Sequence, residues 1–132
     1  MLFHTMVGSN DIERAKRFYD AVLGTLGVGE AIVNVADSGH TRLIYNSGNG
    51  ANFIVTQPIN DEPATVANGS TVAFSCNSPE QVKQFHDAAV ANGGASIEAA
   101  PGPRETASMG TINLAYFRDP DGNKLCGIYL PK

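Results

Sequence analysis

Positive charge is scarce in this chain and nowhere clustered. Nine Lys and Arg stand against 13 Asp and Glu, for a formal net charge of −4 and a pI near 5.2. Nucleic acids and anionic membrane surfaces are held by clustered cations, so neither is an expected partner. Cysteine is also rare. The chain has two, with no Cys-x-x-Cys, which implies neither a disulfide framework nor a zinc knuckle. No apolar run approaches the ~20 residues that a bilayer-crossing helix needs. The opening MLFHTMVGSNDIERAK lacks a basic leader followed by an apolar core. These absences lead us to expect a cytoplasmic protein with reduced thiols. No Ser-His-Asp order, phosphate loop or nucleotide fingerprint is present, and Gly48-Asn49-Gly50 reads as turn chemistry.

What is present suits one domain. The chain has 132 residues, 42% hydrophobic and 17% charged. A chain of that length buries roughly two-thirds of its extended surface and needs no metal or disulfide staple.

The sequence also repeats itself. Residues 4–21 align with 71–88 at a constant offset of 67, without a gap. Six of the 18 positions are identical: Asn10/Asn77, Glu13/Glu80, Lys16/Lys83, Phe18/Phe85, Asp20/Asp87 and Ala21/Ala88. Chance gives about one. Each copy opens with an alternating apolar strand, LFHTMVG or STVAFSC. Each continues with helix-start chemistry: Asn10 three before Glu13, and Ser78 before Pro79 with Gln81 three on. Apolar spacing then marks the helices, through Ile12, Ala15, Phe18, Tyr19 and Val22, and through Val82, Phe85 and Ala89. Gly24 or Gly27 ends the first helix, and Gly93-Gly94 ends the second.

Three strands are expected after each helix, at about 28–36, 40–46 and 51–57, then at about 95–100, 111–118 and 124–130. Asp119-Pro120-Asp121-Gly122 suits a type I turn. The expected fold is therefore α+β, two tandem βαβββ modules forming a curved, partly closed mixed sheet with helices outside. Module one covers about 1–58, the linker about 59–69 and module two about 70–132. APGPRETASMG (100–110) reads as an irregular interruption of module two.

The last hairpins align at offset 72, which places Ile54 over Cys126. Strand parity then puts His4, Ile54, Thr71 and Cys126 on the face opposite Val7, Val72 and Phe74. The two sides suggest a concave ligand surface and a helix-covered core. Cys76 and Cys126 fall on opposite faces, which argues against a disulfide between them.

These features resemble the vicinal oxygen chelate superfamily, which includes glyoxalase I, fosfomycin-resistance enzymes, extradiol dioxygenases and bleomycin-resistance binding proteins. The resemblance covers essentially the whole chain. It is carried by His4 on the first strand, ERAKRFYDAVLG (13–24), GSTVAF (69–74) and RDPDGNKL (118–125). PATVANGS and PGPR are similar to a group of small bacterial glyoxalase-like members.

The resemblance implies a homodimer with a small-molecule site. It also implies, in the metal-dependent members, one ion ligand from the first and last strand of each module. The corresponding positions here are His4, Ile54, Thr71 and Cys126. Only His4 matches the usual ligands; Cys126 could serve a soft metal as thiolate. Two expectations follow. One is a metal-free binding protein with a degraded ion site. The alternative is a lyase, isomerase or dioxygenase using divalent Zn, Ni, Mn or Fe.

Further candidates carry two readings each. Arg104 either clamps a carboxylate or phosphate or is a solvated loop residue. Glu105 is a base or a hydrated carboxylate. Tyr116, which shares parity with Ile112 and Leu114, lines the pocket or packs, and Tyr45 is open in the same way. His40 follows a turn and reads as exposed. His86 occupies the slot of Tyr19 and reads as structural.

Overall fold

In the computed structural model, residues 1–48 and 50–131 are described. Asn49, part of the expected turn after Tyr45, lies outside them. Module one comprises β1 (His4–Gly8), α1 (Ile12–Gly24), β2 (Ile32–Val35), β3 (Thr41–Tyr45) and β4 (Asn52–Thr56). Module two comprises β5 (Val72–Ser75), α2 (Pro79–Ala91), β6 (Ala95–Thr106), β7 (Gly110–Arg118) and β8 (Lys124–Tyr129). The two curved sheets are mixed and unclosed, with orders β1-β4-β3-β2 and β5-β8-β7-β6. The architecture is α+β, with two tandem βαβββ modules.

The repeat survives in three dimensions. The parallel pairs Met6↔Ile54 and Ala73↔Cys126 are equivalent, as are Ile44↔Ile54 and Tyr116↔Cys126. Helix α1 buries Ala15, Phe18, Tyr19 and Val22, while α2 buries Val82, Phe85, His86 and Ala89, position for position. Both helices join one core with Val55, Phe117 and Leu125, against which Val7, Val72 and Phe74 pack. Each helix therefore covers the side of the sheet that parity assigns to it.

Two local readings need correction. The cap of α1 is Asp11, whose side chain accepts from the Arg14 N–H at 3.0 Å. Asn10 is engaged elsewhere: its Oδ1 accepts from the Ala64 N–H at 2.7 Å, which ties the linker to module one. The repeat places Asp11 over Ser78, and Ser78 caps α2 through the Gln81 N–H. Residues 100–106, expected to be irregular, belong to β6. Its register with β7 shifts between Ile97 and Gly102 and then continues through Arg104↔Ile112. β6 is an outer strand, so Pro101 and Pro103 can be accommodated at the edge of the sheet.

The turn 119–123 joins the modules. Asp119 accepts from the Tyr19 hydroxyl at 2.5 Å, and Asn123 Nδ2 donates to the Gly8 carbonyl at 2.9 Å. Asp121 Oδ1 accepts from the Asn10 N–H at 2.8 Å and from Arg14 at 3.1 Å. The motif that reads as turn chemistry is also the clasp between the two halves.

Candidate functional site

The faces opposite the helices are left open. In module one the central row runs Met6–Ile54–Ile44–Ile32, and in module two it runs Ala73–Cys126–Tyr116–Ile97. The first row is apolar. The second carries a thiol and a phenol on the directly paired positions Cys126 and Tyr116, and the Cys126 thiol donates to the Gly127 carbonyl at 3.5 Å. Burial pushes the Cys126 thiol up, against smaller opposing pulls from Tyr116 and Lys124. Lys124 stands 4.6 Å from the Tyr116 ring centroid, a cation–π distance.

His4 is exposed at the start of β1, with its ring edge-on to Phe3 at 6.0 Å. Ile54 is buried on β4 and Thr71 is exposed just before β5. As a donor set for a divalent ion, His4, Ile54, Thr71 and Cys126 do not fit. Ile54 has no donor atom, Thr71 offers a neutral hydroxyl, and the buried Cys126 favours its protonated form. Among the described residues, no group of three or more His, Cys, Asp or Glu is placed to hold a metal.

The remaining candidates separate clearly. Arg104 shares a rung with Ile112, four residues along β7 from Tyr116. Its guanidinium donates to the carbonyls of Ala100, Gly102 and Pro103 at 2.9, 3.2 and 3.1 Å. Glu105 accepts from the Thr111 hydroxyl at 2.7 Å. Tyr45 lies in the core, with its hydroxyl on Asp20. His86 is held by Asp87 and Ser96. Both cysteines are free and buried, and burial raises the Cys76 thiol to about 11.

His40 differs from expectation. Its side chain is only 16% exposed, with Nδ1 2.8 Å from Ser38 Oγ and Nε2 2.8 Å from Asp61 Oδ1. These groups border a cleft of about 570 Å³ beside the linker. Sequence order conceals this Ser38–His40–Asp61 chain, because Asp61 arrives from the linker. Its carboxylate is 84% exposed, so the arrangement holds the linker in place rather than shielding a proton relay from water.

The Glyoxalase/Bleomycin resistance protein/Dioxygenase superfamily matches residues 1–126. A crystal structure of a glyoxalase/bleomycin resistance protein from Albidiferax ferrireducens T118 is 50% identical, covers 98% of each chain and superposes with a TM-score of 0.89. A glyoxalase/bleomycin resistance protein/dioxygenase family enzyme from Burkholderia phytofirmans PsJN is 17% identical over 98% of each chain, with a TM-score of 0.68. Glyoxalase I from Zea mays is 20% identical, with a TM-score of 0.70, over 96% of this chain and 45% of that one. The latter two show a shared fold alone. No curated protein matches the chain. With the repeat, the registers and the 50% identical relative in agreement, the chain belongs to the Glyoxalase/Bleomycin resistance protein/Dioxygenase superfamily.

Proposed function

We infer that this protein binds a small organic molecule on its open sheet faces, with an ion site that no longer chelates. It works as one domain of two modules, in the cytoplasm and as a homodimer. The observation that carries the reading is the donor set: one imidazole, one isoleucine, one neutral hydroxyl and one protonated thiol at the four positions. His4, Ile54, Thr71, Tyr116 and Cys126 form the walls, with Arg104 at the rim. Apolar and aromatic surface supplies the affinity, and a few polar groups orient the ligand.

Metal analysis of protein purified without chelators is expected to find well under one divalent ion per chain. A stoichiometric ion that disappears in His4→Ala would overturn the reading. A thermal-shift screen of aromatic, thioether and organic-acid compounds then finds the ligand, because binding raises stability by mass action.

Support for the dimer comes from surface a lone chain leaves wet. The outer strand β2 exposes Ile32, Val33 and Val35 at 60%, 55% and 64%, and Phe3 is 81% exposed. An apolar outer strand is a template for pairing unless a partner covers it. In this proposal a second copy covers this strand and Phe3. Sedimentation velocity is expected to give twice the 13.9 kDa chain mass. A single monomeric species at micromolar concentration would remove the dimer from the proposal.

A further inference from the structure

The rung beside the Cys126 row carries charge that its counterpart in module one lacks. Lys124 pairs with Arg118 across β7 and β8. Thr71 stands one step before the Val72↔Leu125 pair, so it flanks Lys124 on the other side. By alternation all three share the open face with Cys126 and Tyr116. The equivalent positions of module one are His4, Asn52 and Asn46. Residues 66–71 close over Arg118 and Lys124 to form a cavity of about 180 Å³. Arg118 Nη1 donates to the Gly122 carbonyl at 2.7 Å, which steadies the guanidinium at the cavity wall.

An anion already meets this rung. Glu98 Oε2 lies 2.5 Å from Lys124 Nζ, and the Glu98 side chain is half exposed. Glu98 has a φ of 60° and belongs to the β6 stretch where the register shifts. The bulge thus turns a carboxylate onto Lys124.

We propose that this cavity is the anion subsite of the open-face pocket. It takes the carboxylate or phosphate end of the ligand between Lys124, Arg118 and the Thr71 hydroxyl, in exchange for Glu98, which holds Lys124 from outside the cavity lining in the free protein. The proposal rests on the reading of the open face as a ligand site. A half-exposed ion pair is a weak competitor. A ligand oxyanion gains charge-assisted hydrogen bonds from both cations and displaces it.

Calorimetric titration of the full chain with inorganic phosphate and, separately, malonate at low salt tests this. One of the two anions is expected to bind, and the stronger one identifies a phosphate or a carboxylate as the ligand group. Lys124→Gln is expected to weaken binding at least tenfold. Glu98→Gln, which removes the competitor, is expected to tighten it several-fold. No binding of either anion to wild type or Glu98→Gln overturns the proposal, as does binding that Lys124→Gln leaves unchanged. If Lys124→Gln fails to fold, the Glu98→Gln gain and a loss in Thr71→Val decide instead. Anion binding through Lys124 without any open-face ligand supports the subsite and overturns only the wider pocket. A screened ligand whose affinity ignores Lys124→Gln keeps the pocket and overturns the subsite.

Discussion

Asp119→Ala is expected to destabilise the protein by about 3–5 kcal/mol, enough to lower the melting temperature by roughly 10 °C or more, because several buried hydrogen-bond donors lose their acceptor together. Asp119 is 3% exposed. Its Oδ2 accepts from Tyr19 at 2.5 Å and from Asn123 Nδ2 at 2.8 Å. Its Oδ1 accepts from the Asp121 and Asn123 N–H groups at 2.9 and 2.8 Å. Alanine leaves the Tyr19 hydroxyl without this acceptor and releases the turn that clasps module two to α1. The cost is the desolvation of several polar groups at once, which exceeds the mean worth of one hydrogen bond.

Burial pushes the Asp119 carboxyl up, and the Tyr19 and Asn123 hydrogen bonds pull it down less strongly. A folded value above the unfolded one has a definite sign. The protonation contribution of this group favours the fold below about pH 4 and is lost as pH rises through the raised folded value. The hydrogen bonds, rather than ionisation, therefore account for the stability lost in the alanine variant. Tyr19→Phe, which removes one contact, is expected to cost about 1–3 kcal/mol. Urea unfolding measures both. An Asp119→Ala midpoint indistinguishable from wild type would refute the clasp.

Phe85→Ala is expected to cost about 3–5 kcal/mol, by lost transfer free energy and by the cavity left behind. Phe85 is fully buried on α2. Its ring centroid lies 5.5 Å from that of Phe74 and 5.1 Å from that of Phe117. At Gly127 on β8 a Cβ would come within 2.8 Å of Phe85 Cδ2, so the ring already rests on strand backbone. Paired strands cannot collapse into the space the ring leaves, which puts the cost in the upper part of the range for core truncations. An unchanged denaturant slope with a lower midpoint would show that the native fold is retained. A loss under 1 kcal/mol would mean that Phe85 does not anchor this core.

Much of this arrangement is legible in the order of the residues. The offset of 67 makes Phe18 and Phe85 equivalent, and both are fully buried. Strand parity argues against a disulfide between Cys76 and Cys126, and both are free, whereas the pairing of Tyr116 with Cys126 emerges only from the strand register. Other features are hidden for physical reasons. Pro101 and Pro103 read as breakers because proline cannot join a central ladder, yet β6 lies at an edge. His40 reads as solvent-facing because its partner Asp61 sits 21 residues away in the linker. Arg118 and Lys124 flank the turn motif, where nothing local marks their charge as functional; residues 66–71 close over them only in the folded chain.

Sequence alone determined the two modules, their helix faces and the side of the first strand in each module that the helices cover. Those properties follow from the 3.6 and 2.0 periodicities, which are local and survive in any packing. Tertiary structure decided that the 119–123 turn clasps α1, that the linker roofs a cationic cavity, and that Glu98 is turned onto Lys124. Each depends on segments far apart in the chain meeting at hydrogen-bond distance, which only the packed core can bring about.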